Sequence, residues 1–435
     1  MTTSGIPTAP GALPLVGHAP RMLRDPLRFV AGLAAHGDLV RIRQGTSRAV
    51  VVCRPDLVRE VLRDDSRFSP GDHPHGGRRG AAGPAFDASR MPGYAAVMAE
   101  HIERVTGRWK DGRIVDVAAE ARDIAAAATF GALVSGGASR AAARRCVRDA
   151  RTVLDGAYRR TFPPVPPARP PGPGRVRRAA ANRRLRQAVK EFTDAYRAEG
   201  DDRGDLLSVL AGVHDGGADE PPRTPDEIAD QALAFFGAGW CTTAATVAWA
   251  LHLLAGRPDV QRRLHLEADA VLDGGTAAFE HLPRLEVTGR IVTETLRMYP
   301  PVWLLTRTLS ADTELGGQRL RAGTALLCSP YLIHHREDLY PDPGRFDPDR
   351  WTADKERPSD AYLAFGAGDR GCAGDAFAVT AATLTLASIA ARWRLLPVPG
   401  AAPRAKAAGT ISPEGLRMRT MSRSAVPSLT REGTP

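Results

Sequence analysis

Phe365-Gly-Ala-Gly-Asp-Arg-Gly-Cys-Ala-Gly374 sets one cysteine among glycines, just ahead of an Ala-rich stretch that ends near Trp393. A phosphate loop fits poorly, because no Lys-Ser/Thr follows the glycines. A ligand loop fits better. Glycines let the backbone come close to a flat cofactor and leave amides available to a sulfur. A helix beginning near Cys372 would favour the thiolate through its first N–H groups and its dipole. Arg370, two residues earlier, offers a cation to an acidic cofactor edge. Taken alone, the segment reads more readily as a buried structural cysteine beside a turn.

Working outward, Glu294-Thr-Leu-Arg297 sets an acid and a base three apart on one helix face. Phe346-Asp-Pro-Asp-Arg-Trp351 lies in the irregular stretch before the cysteine loop. Upstream, Thr224, Pro225 and Glu227 carry the signature of a capped helix start, and Gly256 with Pro258 carries the stop. Between Asp230 and Arg257 there is no Lys, Arg, Asp or Glu. Such a run suits either a membrane span or the central helix of a large core. The soluble-type cap and the embedded Gly237, Gly239, Thr242, Thr243 and Thr246 favour the core. His75-x-x-x-Arg79 and Arg307, after Pro300-Pro301, complete the set of notable residues.

These marks resemble the cytochrome P-450 family. The loop matches F-G-x-G-x-R-x-C-x-G at every specified position, Glu294 and Arg297 match E-x-x-R, and Ala238-Gly-Trp-Cys-Thr-Thr243 resembles the oxygen-binding turn of the long central helix. The marks stand in family order, and similarity runs from about residue 7 to 420. The resemblance implies a mainly α fold, a triangular helical domain with a small β-rich lobe and a buried haem b. Cys372 would be the iron ligand, an electron-donating thiolate. Arg370, Arg307, His75 and Arg79 would meet the propionates. Phe365, Gly366 and Ala238 would lie against the haem. Glu294 and Arg297 would lock onto Arg350. Thr242 and Cys241 would be the catalytic positions, and Phe235, Ala238, Val302, Trp303, Leu304 and Ile411 the substrate pocket.

Two departures stand out. The family carries an acid before the central threonine, and this chain has Cys241. A thiol of reference pKa near 8.5 substitutes poorly for a carboxylate in proton delivery. Ordinary hydroxylation with relay water from another path remains one reading. A haem-thiolate isomerase, cyclase or group transferase is the alternative, and a haem-containing binder without turnover is a third. The segment from Phe68 to His75 is also short for the family's distal lid. The pocket is then open or completed by Phe162–Gly174. Gly76, Gly77 and Gly80 weaken the helix that should present Arg79, at about 1 kcal/mol each against Ala.

Composition agrees. The 435 residues allow a large core, and the five cysteines at 53, 146, 241, 328 and 372 show no C-x-x-C spacing. That pattern disfavours a disulfide framework and suits a reducing cytoplasm. The N-terminal residues show neither a secretory signal nor a membrane anchor. The net charge of +10 comes from dispersed arginines, densest from Arg175 to Arg186, so a nucleic-acid partner is not expected. The basic surface suits an acidic ferredoxin. One domain over 1–420 leaves no room for an electron-transfer module, so electrons should come from a separate ferredoxin and ferredoxin reductase. Dioxygen and an apolar small molecule, a terpenoid or other secondary-metabolite intermediate, are the expected substrates. Residues 421–435 read as a disordered tail.

Overall fold

The computed structural model describes residues 5–70, 83–135, 140–157, 173–213, 223–355, 361–400, 402–407 and 409–423. Its axis is the helix Pro225–Ala255. Thr224 caps it as the sequence demands: its hydroxyl accepts from the Glu227 amide at 3.3 Å, and the Glu227 carboxylate accepts from the Thr224 amide at 2.8 Å. At 1.5 Å per residue the helix runs about 46 Å. It is long and apolar enough to cross a membrane, yet 61% of its most apolar window is buried inside the molecule. The helices Val117–Leu133, Pro173–Glu199, Glu286–Met298 and Asp375–Arg392 all pack on it. That surround explains why it is apolar on every side.

The smaller lobe is built on five strands in the spatial order Leu39–Gln44, Ser47–Val52, Ala325–Cys328, Leu305–Leu309, Phe68–Ser69. The first two form a hairpin around Gly45, whose φ of +59° suits glycine. Ser47–Val52 then pairs in parallel with Ala325–Cys328, which pairs antiparallel with Leu305–Leu309. A second sheet joins Ile114–Asp116, Arg417–Ser422 and Trp393–Pro397. The last strand thus runs to Ser422, while 424–435 lie outside the described residues.

Two apolar clusters fill the molecule, one among the helices and one under the five-stranded sheet. Trp249 belongs to the central helix but lies in the sheet cluster. Its ring stacks on Tyr299 at 3.8 Å, and its indole N–H donates to the Ile411 carbonyl at 3.2 Å. This residue ties the two lobes together. The mixture of dominant helix with small sheets is the mainly α fold expected of the sequence.

Candidate functional site

The cysteine loop is shaped by two left-handed glycines, Gly366 and Gly368, each at φ +72°. The Gly366 amide donates to the Leu363 carbonyl at 3.0 Å, Gly371 to Gly368 at 2.9 Å, and Cys372 to Phe365 at 2.8 Å. Gly368 is also dictated by space. A Cβ there would lie 2.7 Å from both Arg63 Cα and the Leu62 carbonyl oxygen, where the loop rests on the end of helix Pro55–Arg63. Gly374 faces the Phe86 ring, which an added Cβ would meet at 3.2 Å. The following helix begins at Asp375 with Gly374 as its N-cap, so Cys372 lies in the loop itself, two residues before the cap. Cys372 is exposed, unlike the buried Cys53, Cys146 and Cys328, and Phe365 and Gly366 are half-buried. Burial pushes the Cys53 and Cys328 thiols up to about 12 and Cys146 up to about 11, so these are poor sources of thiolate.

Behind the loop sits a charged network centred on a buried acid–base pair. Glu294 and Arg297 are both wholly buried. The Arg297 Nε and Nη2 donate to the two Glu294 oxygens at 2.8 Å each. Arg297 also donates to the carbonyls of His334 and Pro343, both at 2.9 Å. Glu294 accepts further from Arg350 Nε at 3.3 Å, from the Asp347 amide at 3.1 Å and from the Trp351 indole at 2.9 Å. A buried carboxylate is tolerable only with its lone pairs filled in this way. The structure therefore brings Glu294, Arg297 and Arg350 together. It adds Trp351 and His334, which the sequence did not single out; the indole of a Trp following Arg350 was the available signal for one of them.

Toward the sheet lobe, Arg370 Nε donates to Asp65 Oδ2 at 2.6 Å, an ion pair about three-quarters buried on both sides. Asp65 was not foreseen, since 305 positions separate it from Arg370. Arg307 is 8% exposed and donates through Nη1 to the Thr306 carbonyl at 2.9 Å. Its Nε and the neighbouring Asp65 Oδ1 are buried without a hydrogen-bond partner. Burial lowers the Arg307 guanidinium from its usual range, with Asp65 opposing the shift. A buried cation with an unsatisfied donor fits an acidic cofactor edge, and the chain's donor set fits haem propionates at Arg307 and Arg370. His75 and Arg79 lie outside the described residues.

On the central helix, Thr242 Oγ1 donates to the Ala238 carbonyl at 2.5 Å and Thr246 Oγ1 to the Thr242 carbonyl at 2.9 Å. Ala238 is exposed, and Cys241 and Thr242 are half-buried. Gly239 lies so close to Thr129 that a Cβ would meet its methyl at 2.9 Å. Thr243 Oγ1 is buried without a partner. Phe235 belongs to an aromatic cluster, 5.4 Å from Phe86 and 6.0 Å from Phe377. Val302 is exposed and Leu304 half-buried, whereas Trp303 and Ile411 are packed in the sheet cluster.

The family model for cytochrome P450 matches residues 165–418. Cyclooctat-9-en-7-ol 5-monooxygenase of Streptomyces melanosporofaciens is 41% identical over 90% of both chains. Pentalenene oxygenase of Streptomyces avermitilis is 38% identical over 96% of this chain and 97% of its own. The crystal structure of the cytochrome P450DA haem domain superposes with a TM-score of 0.86 over 97% of this chain and 98% of that one, at 24% identity. A motif-bearing cysteine loop, a buried acid–base network behind it and full-length relatives agree: this chain belongs to the cytochrome P450 family, the haem-b enzymes of the monooxygenase class.

Proposed function

We propose that this cytochrome P450 oxygenates an apolar terpenoid-like intermediate in the cytoplasm, with electrons from a separate ferredoxin and ferredoxin reductase. The observation that carries the substrate class is the near-full-length likeness to two bacterial enzymes whose names specify a cyclooctatenol and pentalenene. Of the candidate pocket residues, Phe235, Ala238, Val302 and Leu304 are at least partly exposed and bring no charge, which suits such a substrate, whereas Trp303 and Ile411 are packed in the sheet cluster. When bound through Cys372, the haem supplies electron-rich iron for dioxygen chemistry. The chain's own work is to hold it: Arg307 and Arg370 for the propionates, and the loop amides around the sulfur. Thr242 has its proton committed to the Ala238 carbonyl, so its oxygen is left as an acceptor toward the distal side. His75 and Arg79 complete the proposed propionate set.

The test is turnover of the reconstituted holoenzyme on polycyclic terpenes and their alcohols, under labelled dioxygen with ferredoxin and reductase. One labelled oxygen in the product supports the reading; a product formed without reductant refutes it. Cys372→Ser should abolish the red-shifted carbonyl band of reduced thiolate-ligated haem. Cys241→Asp should raise product formed per electron consumed, because a carboxylate exchanges protons beside Thr242 where a thiol does so poorly. Unimproved coupling would remove Cys241 from the proton path.

A further inference from the structure

We infer that His334 is a positioning residue for the cysteine loop, its neutral ring joining the loop's approach segment to the buried Glu294–Arg297 pair. The inference rests on Cys372 being the haem ligand. His334 ends the short helix Pro330–His334 and is wholly buried. Its Nδ1 lies 3.0 Å from the Arg297 carbonyl oxygen, and its Nε2 lies 2.8 Å from the Leu363 amide nitrogen. A carbonyl only accepts and an amide only donates, so Nδ1 carries the proton and Nε2 is the acceptor. A doubly protonated ring would set an N–H against the Leu363 N–H. Burial accordingly pushes the imidazole down to about 3.

The ring is held in place from every side. Arg297 Nη1 returns a hydrogen bond to the His334 carbonyl at 2.9 Å. Tyr362 stacks on the imidazole at 5.5 Å, and Tyr340 meets it edge-on at 6.1 Å. From Leu363 the connection continues through backbone alone. The Leu363 carbonyl accepts from Gly366, and the Phe365 carbonyl accepts from Cys372. The imidazole is thus one rigid spacer between the buried Glu294–Arg297 pair and the turn that aims the thiolate. Such an arrangement fixes a ligand through a group that never touches the metal.

Two substitutions divide the ring's two bonds. In His334→Gln the side-chain oxygen reaches the Nε2 position and keeps an acceptor for Leu363. In His334→Asn the side-chain nitrogen reaches the Nδ1 position and keeps a donor for Arg297. Both lose one buried bond, so melting temperatures of the two holoenzymes should fall alike. The reduced carbonyl spectrum should separate them. His334→Gln should keep the wild-type proportion of thiolate band, and His334→Asn should lower the thiolate-to-non-thiolate ratio about five-fold or more, the equivalent of one lost buried hydrogen bond. Equal thiolate loss in both, or retention in His334→Asn, overturns the proposal. Amide exchange of Leu363 in the wild-type holoenzyme gives a test independent of any variant. Protection matching that of helix Glu286–Met298 is expected, and exchange as fast as in exposed loops overturns it. A wild-type protein without the thiolate band would instead remove Cys372 as ligand, and with it the reading beneath this one.

Discussion

The two sides of the candidate haem site are built on opposite principles. On the side of Cys372, Glu294 fills its lone pairs from Arg297, Arg350, Trp351 and the Asp347 amide, and the Glu294–Arg297 pair at its centre is wholly buried. On the side of the central helix there is no Lys, Arg, Asp or Glu between Asp230 and Arg257; beside Cys241, Thr242 and Thr246 bond to their own helix, and the buried Thr243 hydroxyl has no partner. The first side is over-determined, so that each group depends on several others. The second is under-determined at Cys241 and Thr242, both half-buried, although Gly239 and Trp249 on the same helix are fixed by packing. What is common to the family is held by the first, and what distinguishes this chain lies in the second.

Breaking the over-determined side should have the largest effect. Glu294→Ala leaves Arg297 buried without its partner and should cost about 3–5 kcal/mol, read as lost haem loading and a lower melting temperature. A soluble, fully loaded variant with unchanged melting would show that the two sides do not differ. Acid should come next. Burial holds His334 down to about 3 and His101, His265 and His335 down to about 4, against an ordinary value of 6.5. The folded state keeps these rings neutral while the unfolded chain takes up protons. Stability should therefore be complete above about pH 6.5, fall as the pH drops below it, and level off near the folded-state values. Denaturant unfolding at pH 7, 6 and 5 measures the slope, and a flat profile would mean the rings are accessible.

Smaller effects sharpen the contrast. Trp351→Phe keeps the ring but removes its hydrogen bond to Glu294, at about 1–3 kcal/mol in denaturant unfolding. Thr242→Ala on the other side should leave the melting temperature nearly unchanged, since only a hydroxyl bonded to its own helix is lost. Loss of several degrees in Thr242→Ala would contradict the division between the two sides.

The elements whose signals are local were legible in the sequence. Thr224 and Glu227 announce the central helix within four residues, and the three-residue spacing of Glu294 and Arg297 places both on one face of helix Glu286–Met298. The start of the final helix was misjudged by three residues, because Gly374 and not Cys372 provides the cap. Pairings across distance were not legible. Nothing near Arg370 names Asp65, and His334 looks like any other histidine until Leu363 and Arg297 are placed on either side of it. Hydrogen bonds of this kind depend on three-dimensional closure, which no window of sequence contains.

Gly368 lies against Arg63 and Leu62, and Arg370 against Asp65, so the loop bearing the cysteine is completed by residues made some 305 positions earlier. On the ribosome this fixes an order of events. Most of the polypeptide must be synthesised before Cys372, the proposed iron ligand, can meet its supporting surface, and closing so long a chain is slow. With Cys372 as the proposed ligand, haem capture would come late in the life of the nascent chain, and a shortage of haem would be felt by molecules already almost fully translated.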